Sequence, residues 1–155
     1  MIISKGGYKK ESMPIEKELI RRLLLYLDHL TKGLKRPGLT KEILKKNEDV
    51  RLAMERRLQT AIECCIDISF HIISGENLGV VEHNKDALLL LGTKGIISKK
   101  VAGRLAEATS MRNVLVHGYD HVDLNEFYKA ITEDLDDLKD FSEQISDFLE
   151  KNPQV

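Results

Sequence analysis

The sequence predicts an all-α protein, a bundle of about five helices. Apolar residues recur at steps of three and four along most of the chain, which is the period of an amphipathic helix. Few β-branched residues cluster together, and no β-hairpin turn signal separates two alternating segments. The composition, 42% hydrophobic and 32% charged, is typical of a globular helical protein and argues against a disordered chain.

The first predicted helix begins at Pro14, because a proline in the first turn of a helix lacks only an N–H that would be unpaired anyway. We expect this helix to end at Gly33. Residues 1–13 are expected to be a flexible basic segment ahead of a single domain that spans residues 14–152. The stripe predicted to be buried comprises Ile15, Leu19, Leu23, Tyr26 and Leu30.

A second, long helix is predicted between Thr40, which can cap it, and Gly75, near which it ends. Adjacent Cys64 and Cys65 lie within it. Neighbouring positions on a helix point about 100° apart, so we expect buried thiols rather than a disulfide or a chelating pair. The predicted buried stripe comprises Val50, Met54, Leu58, Ala61, Cys65, Ile68 and Ile72.

Three further helices are predicted in the rest of the chain. The apolar run 87–91 predicts a short, deeply buried helix. Ser98 is placed to cap the fourth helix, which ends at Gly118. Asp123 with Glu126 three residues later forms a capping-box-like start for the fifth.

Charge is unevenly distributed along the chain, although the net charge is only −1. Residues 1–57 carry 15 Lys or Arg and 8 Asp or Glu, whereas residues 123–150 carry 2 Lys and 10 Asp or Glu. The balanced total argues against indiscriminate nucleic-acid binding, and the asymmetry allows a local basic face. No run of about 18 apolar residues or signal-peptide-like N-terminus is present, so we expect a cytoplasmic protein without membrane contact.

The most informative segment is residues 112–119, Arg-Asn-Val-Leu-Val-His-Gly-Tyr. Four residues separate Arg112 from His117, and Tyr119 follows two residues later. A guanidinium binds phosphate, and an imidazole transfers protons near neutral pH, so the segment suits chemistry on a phosphodiester. From spacing alone, a second interpretation remains open: an arginine and a histidine that only stabilise the C-terminus of a helix.

Helix geometry separates the two principal residues of this segment. Arg112 and His117 lie about 140° apart around a regular helix. They converge on one ligand only if the helix frays near Gly118, the arginine side chain curls back, or a second chain supplies part of the site. Arg112 also continues the apolar stripe of Val101 and Leu105, so we expect it to be buried against a partner or to face a cleft. A symmetric homodimer with a composite site is consistent with both observations.

A metal site is not expected in this segment. His117 and His121 have the spacing of two ligands on a helix, but Gly118 interrupts that helix. No nearby cysteine or compact set of carboxylates completes a site, and no glycine-rich phosphate loop is present. The sequence therefore predicts no metal and no cofactor.

The chain resembles the HEPN superfamily, specifically the HepT-like toxins of prokaryotic toxin–antitoxin pairs. Residues 112–119 match the R-x4-H-x-Y motif of that family. Residues 55–73 are similar to its second helix, and residues 95–123 to its approach to the motif. The similarity extends over residues 14–150. One departure is the segment 76–84, which lacks the proline-containing stretch often present in relatives and leaves the shape of this loop open.

The resemblance implies a HEPN-like helical bundle that forms a homodimer and acts as a metal-independent endoribonuclease toxin. Arg112 would hold the scissile phosphate, Asn113 would orient the phosphate or the histidine, and His117 would act as general acid or base. Tyr119 matches the tyrosine that a cognate minimal nucleotidyltransferase (MNT) antitoxin modifies with AMP, which silences the toxin. The implied partners are RNA and this antitoxin, in a type VII-like system.

Two alternatives remain open at this point. One is a non-catalytic HEPN module that binds nucleotide or serves as the partner of a nucleotidyltransferase, which needs Arg112 but not His117 as a proton carrier. The other is a helical dimerisation protein with a fortuitous motif. Glu63 and Asp67 are placed to assist the site, but a charged, exposed helix face explains them equally well.

Overall fold

The computed structural model describes the backbone of residues 4–117 and 122–152, and the side chains of 17–117 and 122–152. This part of the chain contains α-helices and no β-strand, which confirms the all-α prediction. None of its helices is both long and apolar enough to cross a membrane. The helices are α1 (Ser4–Leu34), α2 (Lys41–Lys46), α3 (Glu48–Gly75), α4 (Asn84–Thr93), α5 (Lys99–His117), α6 (Leu124–Thr132) and α7 (Leu135–Lys151).

The two longest helices, α1 and α3, pack side by side and carry much of the core. The Arg57 guanidinium of α3 donates a hydrogen bond of 3.4 Å to the carbonyl oxygen of Gly33. The C-terminal end of α1 therefore lies against the N-terminal half of α3, as in an antiparallel pair. The remaining helices close the core around them; its largest fully buried side chains include Phe127, Phe141, Met54, Ile68 and Leu88.

Within the described residues there are seven helices instead of five, because two of the predicted helices are interrupted. Asn47 has an extended backbone; its N–H donates to Ile43 at the end of α2, and its Oδ1 accepts from the Val50 N–H at the start of α3. One residue thus ends α2 through its backbone N–H and caps α3 through its side chain. A second break, at Glu133 and Asp134, separates α6 from α7; there the Asp134 side chain makes no capping hydrogen bond. The predicted caps Thr40, Ser98 and Asp123 are confirmed.

The first helix differs from its prediction in two ways. It begins at Ser4, so Pro14 lies inside α1 instead of at its start. The buried stripe is also shifted by about one position, and Tyr26 is 47% exposed. The residues from 23 to 27 are all apolar, so the sequence allows either phase, and packing against α3 and α7 selects one. The buried residues are Ile20, Leu24, Leu27, Leu30, Thr31 and Leu34.

The other predicted stripe, on α3, is confirmed except at its first residue. Val50 is half-buried, and the remaining six positions are buried. The short leucine-rich helix α4 is buried at Ala87, Leu88 and Leu91 and packs on α5, the helix that carries the motif.

Close approach of α4 to α5 depends on a glycine. A Cβ atom built at Gly92 would lie 2.6 Å from the Cβ of Ala102, which is far inside van der Waals contact. We expect Gly92→Ala to lower the free energy of unfolding by about 1–3 kcal/mol, because the helices must move apart. Gly103→Ala is the matched control: no atom lies within 4 Å of its added Cβ, so better helix propensity should leave stability equal or raised. Urea unfolding measures both, and equal stability of the two variants would contradict this account.

Candidate functional site

The motif-bearing helix α5 is fixed to α7 ahead of the motif. The backbone N–H of Ser98 donates to Oε1 of Gln144 at 2.7 Å. The Nε of Arg104 lies 2.8 Å from both carboxylate oxygens of Asp137, and its Nη2 lies 3.1 Å from Asp134. These contacts set the position of α5 about two turns before Arg112.

Arg112 lies where the buried stripe of α5 reaches the surface, and its side chain is 25% exposed. Its Nε forms an ion pair of 3.6 Å with Oε1 of Glu63 on α3, and its Nη1 donates to Oδ1 of Asn113 at 3.2 Å. The sequence predicts burial against a partner or a cleft. The structure supplies such a partner within the same chain, namely α3.

The guanidinium contact with Glu63 is close but is not a hydrogen bond. Among the described side chains, Nε of Arg112 is the buried polar atom without a hydrogen-bond partner. Glu63 is itself held from the preceding turn of α3, where Nε2 of Gln59 donates to the same Oε1 at 2.8 Å. A continuous polar contact therefore runs from Gln59 through Glu63 and Arg112 to Asn113.

A second carboxyl group, Asp67, lies one turn further along α3. Burial raises the pKa of this carboxyl group. Among its charged neighbours, His71 and Arg112 act to lower the pKa and Glu63 acts to raise it. Gln59, Glu63 and Asp67 follow one another at a spacing of four residues, which places all three on one face of α3. Arg112 thus has two carboxyl groups of this face in its electrostatic surroundings.

His117 and Asn113 are exposed, and α5 remains helical through His117. The helix therefore does not fray before this residue, and the angular separation of about 140° from Arg112 persists. The structure does not bring the two side chains together through an early end of the helix. Tyr119, Gly118 and His121 lie outside the described residues.

The cysteines take no part in this site. Cys64 and Cys65 are buried and free, as predicted. Burial raises the pKa of the Cys64 thiol to about 11, and burial also raises that of Cys65, so neither is a ready nucleophile near neutral pH. Within the described side chains, no group of three His, Cys, Asp or Glu could hold a metal ion.

The motif is a surface feature rather than the lining of an enclosed pocket. A cavity of about 320 Å³ lies between α3, α5, α6 and α7, with apolar residues such as Ile62 and Met111 in its walls. Arg112, Asn113 and His117 do not line it. A polymeric anion can reach an open surface of this kind.

Similarity to known proteins decides the family. The family model for Ribonuclease HepT-like proteins matches residues 17–145, most of the chain, including Arg112, Asn113 and His117. The chain belongs to the Ribonuclease HepT-like family. Membership confirms the resemblance that the motif and the second helix indicate.

Two curated HepT relatives and one solved structure extend this finding. The chain is 33% identical over 132 residues to a tRNA nuclease HepT from Aphanizomenon flos-aquae, covering 85% of this chain and 86% of the relative. It is 30% identical over 88 residues to an mRNA nuclease HepT from Shewanella oneidensis, covering 57% of this chain and 66% of that relative. A tri-AMPylated Shewanella oneidensis HEPN toxin, solved in complex with its MNT antitoxin, superimposes with a TM-score of 0.77 at 23% identity, over 83% of this chain and 96% of that one. The fold is thus that of a HEPN toxin.

Sequence reasoning identifies the HepT-like motif but not the residues that surround its arginine. Glu63 and Asp67 stand in the sequence as undecided candidates, and Gln59 is not distinguished from other surface residues. Their spacing of four on α3 was the available signal. It becomes informative only when α5 is known to pack Arg112 against that face.

Proposed function

We propose that this HepT-like chain is the endoribonuclease toxin of a type VII-like HEPN/MNT toxin–antitoxin pair. The observation that carries this proposal is the placement of Arg112 in a ribonuclease family member: the guanidinium is anchored by α3 yet remains partly exposed. An anchored guanidinium at a surface suits a phosphate of a polynucleotide. In this proposal, residues 14–152 form the single ribonuclease domain, and the protein acts in the cytoplasm.

In the proposed mechanism, Arg112 binds the scissile phosphate and stabilises the charge that develops on it. His117 transfers a proton as general base from the 2′-hydroxyl or as general acid to the leaving 5′-oxygen. The 2′-oxygen then forms a bond to phosphorus as the bond to the 5′-oxygen breaks. Asn113 orients the phosphate or the histidine, and its contact with Nη1 of Arg112 supports such a role. The scheme uses no metal ion.

The proposed assembly is a homodimer. The separation of about 140° between Arg112 and His117 on a regular α5 is the supporting observation, since it favours a site that combines residues from two chains. Two antiparallel or crossed copies of α5 at a two-fold axis would present the arginine of one protomer beside the histidine of its partner.

Regulation completes the proposal. The cognate MNT antitoxin transfers AMP to Tyr119, two residues after His117 in the sequence. An added nucleotide is bulky and anionic, so it would exclude RNA from the arginine by steric overlap and by like-charge repulsion. AMPylation in the HEPN–MNT complex of Shewanella oneidensis supports this step.

Cleavage of RNA in the presence of a chelator tests the proposed function. The purified chain should cut a mixture of tRNA and mRNA in EDTA, and prior incubation with the antitoxin and ATP should stop it. Gel separation of labelled RNA and the mass of the treated toxin provide the two measurements. A chain that binds nucleotide but never cuts RNA would instead establish the non-catalytic HEPN module.

A further inference from the structure

We propose that Glu63, held by Gln59, is a positioning residue that orients the Arg112 guanidinium toward the scissile phosphate. This inference rests on the proposed ribonuclease function and names residues of α3 that the R-x4-H-x-Y motif does not contain. It begins from the contact between two helices: Oε1 of Glu63 on α3 faces Nε of Arg112 on α5 at 3.6 Å.

The contacts of Arg112 determine which part of the guanidinium remains for a ligand. A guanidinium carries five N–H donors in one plane. Nε faces Glu63, and Nη1 donates to Asn113. Among the described residues, the hydrogen bond of this guanidinium comes from Nη1, so the Nη2 donors can reach phosphate oxygens. Together with the covalent bond between Nε and the rest of the side chain, these two contacts restrict rotation of the guanidinium, and the Glu63 contact thereby helps to set the direction in which Nη2 points.

Gln59 fixes Glu63 in turn. The Gln59 amide donates to Oε1 of Glu63 at 2.8 Å across one turn of α3, and Glu63 is 31% exposed. This hydrogen bond restricts the rotamers that the Glu63 side chain samples. Orientation of a reacting group by a support that is itself hydrogen-bonded is a general requirement for precise sites.

The distance of 3.6 Å between Nε of Arg112 and Glu63 is consistent with a contact that shortens when RNA binds. A buried N–H without a hydrogen bond is costly, and Nε of Arg112 is in this state. Catalytic hydrogen bonds are often long in a free enzyme and tighten in its complex with substrate.

The negative charge of Glu63 allows a positioning role to be distinguished from a role in RNA binding. Removing the Glu63 carboxylate makes the surface around Arg112 more positive, so binding of RNA should stay equal or become tighter. Loss of orientation acts instead on the reaction step, because small displacements of a catalytic group are expensive: kcat should fall by about 10- to 100-fold. A residue that served only the fold would not produce this opposite movement of affinity and kcat.

The experiment compares Glu63→Ala and Glu63→Gln with Glu55→Gln. Glu55 is a matched control: it lies two turns earlier on α3 and forms a similar partly buried ion pair, 3.7 Å from Nε of Arg51. Cleavage of a short RNA in EDTA gives kcat and KM. Fluorescence anisotropy with an RNA that is 2′-O-methylated, and hence uncleavable, gives Kd, and circular dichroism confirms the helix content of each variant.

We expect the alanine variant to lose kcat without losing RNA affinity and the glutamine variant to retain more activity, since its amide oxygen can still face Nε. Glu55→Gln should match the wild type. Gln59→Ala is a second, milder variant that leaves the carboxylate in place and should lower kcat by several-fold. Wild-type kcat in the Glu63 variants, or a higher kcat, would overturn the positioning role while leaving the ribonuclease in place. A wild-type chain without cleavage would overturn both.

Discussion

Arg112→Ala is expected to lower kcat/KM for RNA cleavage by about 1,000-fold, the loss that follows removal of a donor aimed at developing charge. Most of the loss should appear in kcat, because the arginine stabilises the transition state more than the bound RNA. The folded state should tolerate the change. Glu63 keeps its hydrogen bond from Gln59, and the lost ion pair, at 3.6 Å, is partly exposed, so the free energy of unfolding should fall by about 1 kcal/mol or less.

Two further variants make the Arg112 result specific. Arg112→Lys keeps the charge but has no planar fork, so it should recover only a small part of the activity. Arg51→Ala removes an arginine from an ion pair of nearly the same length on α3 and should cleave as the wild type does. The cleavage assay and a thermal melt of each variant suffice. Cleavage by Arg112→Ala within threefold of the Arg51→Ala rate would contradict the proposed site.

The helix class and most caps could be predicted from sequence because they depend on local signals. Thr40 and Asp123 cap helices through their own side chains within three residues. The breaks at Asn47 and at Glu133 could not be predicted in the same way, since the apolar period continues through both positions. At Asn47, the backbone N–H ends α2 and the side chain caps α3, and both depend on the extended backbone of that one residue.

Which face of α1 is buried could not be predicted from sequence, for a different reason. An apolar run from Leu23 to Leu27 presents two adjacent stripes, and periodicity cannot choose between them. Tyr26 is on the exposed one. The choice depends on which face meets α3 and α7, that is, on tertiary contacts that have no local signature.

The residues of the candidate site likewise include some that local sequence identifies and some that depend on tertiary contacts. The motif residues of α5 are contiguous in sequence and could be found there. Glu63 lies 49 positions before Arg112 in the chain. Its relation to the arginine exists only because α3 and α5 pack together. A partly buried arginine at the end of an apolar stripe indicates that some partner is present, but the sequence does not say which residue it is.

His117→Ala is expected to lower kcat by about 100- to 10,000-fold, the usual contribution of a general acid or base. KM and the affinity for uncleavable RNA should change little, since an exposed imidazole adds little to phosphate binding in the presence of Arg112. His29→Ala, which removes an exposed histidine from α1, is the control and should leave cleavage unchanged. Full activity in His117→Ala would show that a different residue transfers the proton.

Mixing the two inactive variants tests whether the site is shared between protomers. If Arg112 of one chain acts with His117 of its partner, then a heterodimer of Arg112→Ala and His117→Ala contains one complete site. Random pairing of co-expressed chains should then restore about one quarter of the wild-type rate per dimer. If both residues act within one chain, no heterodimer contains a complete site, and the mixture stays inactive. Because α5 is regular through His117, the Arg112 and His117 side chains of one chain lie about 140° apart. We therefore expect the mixture to regain cleavage activity.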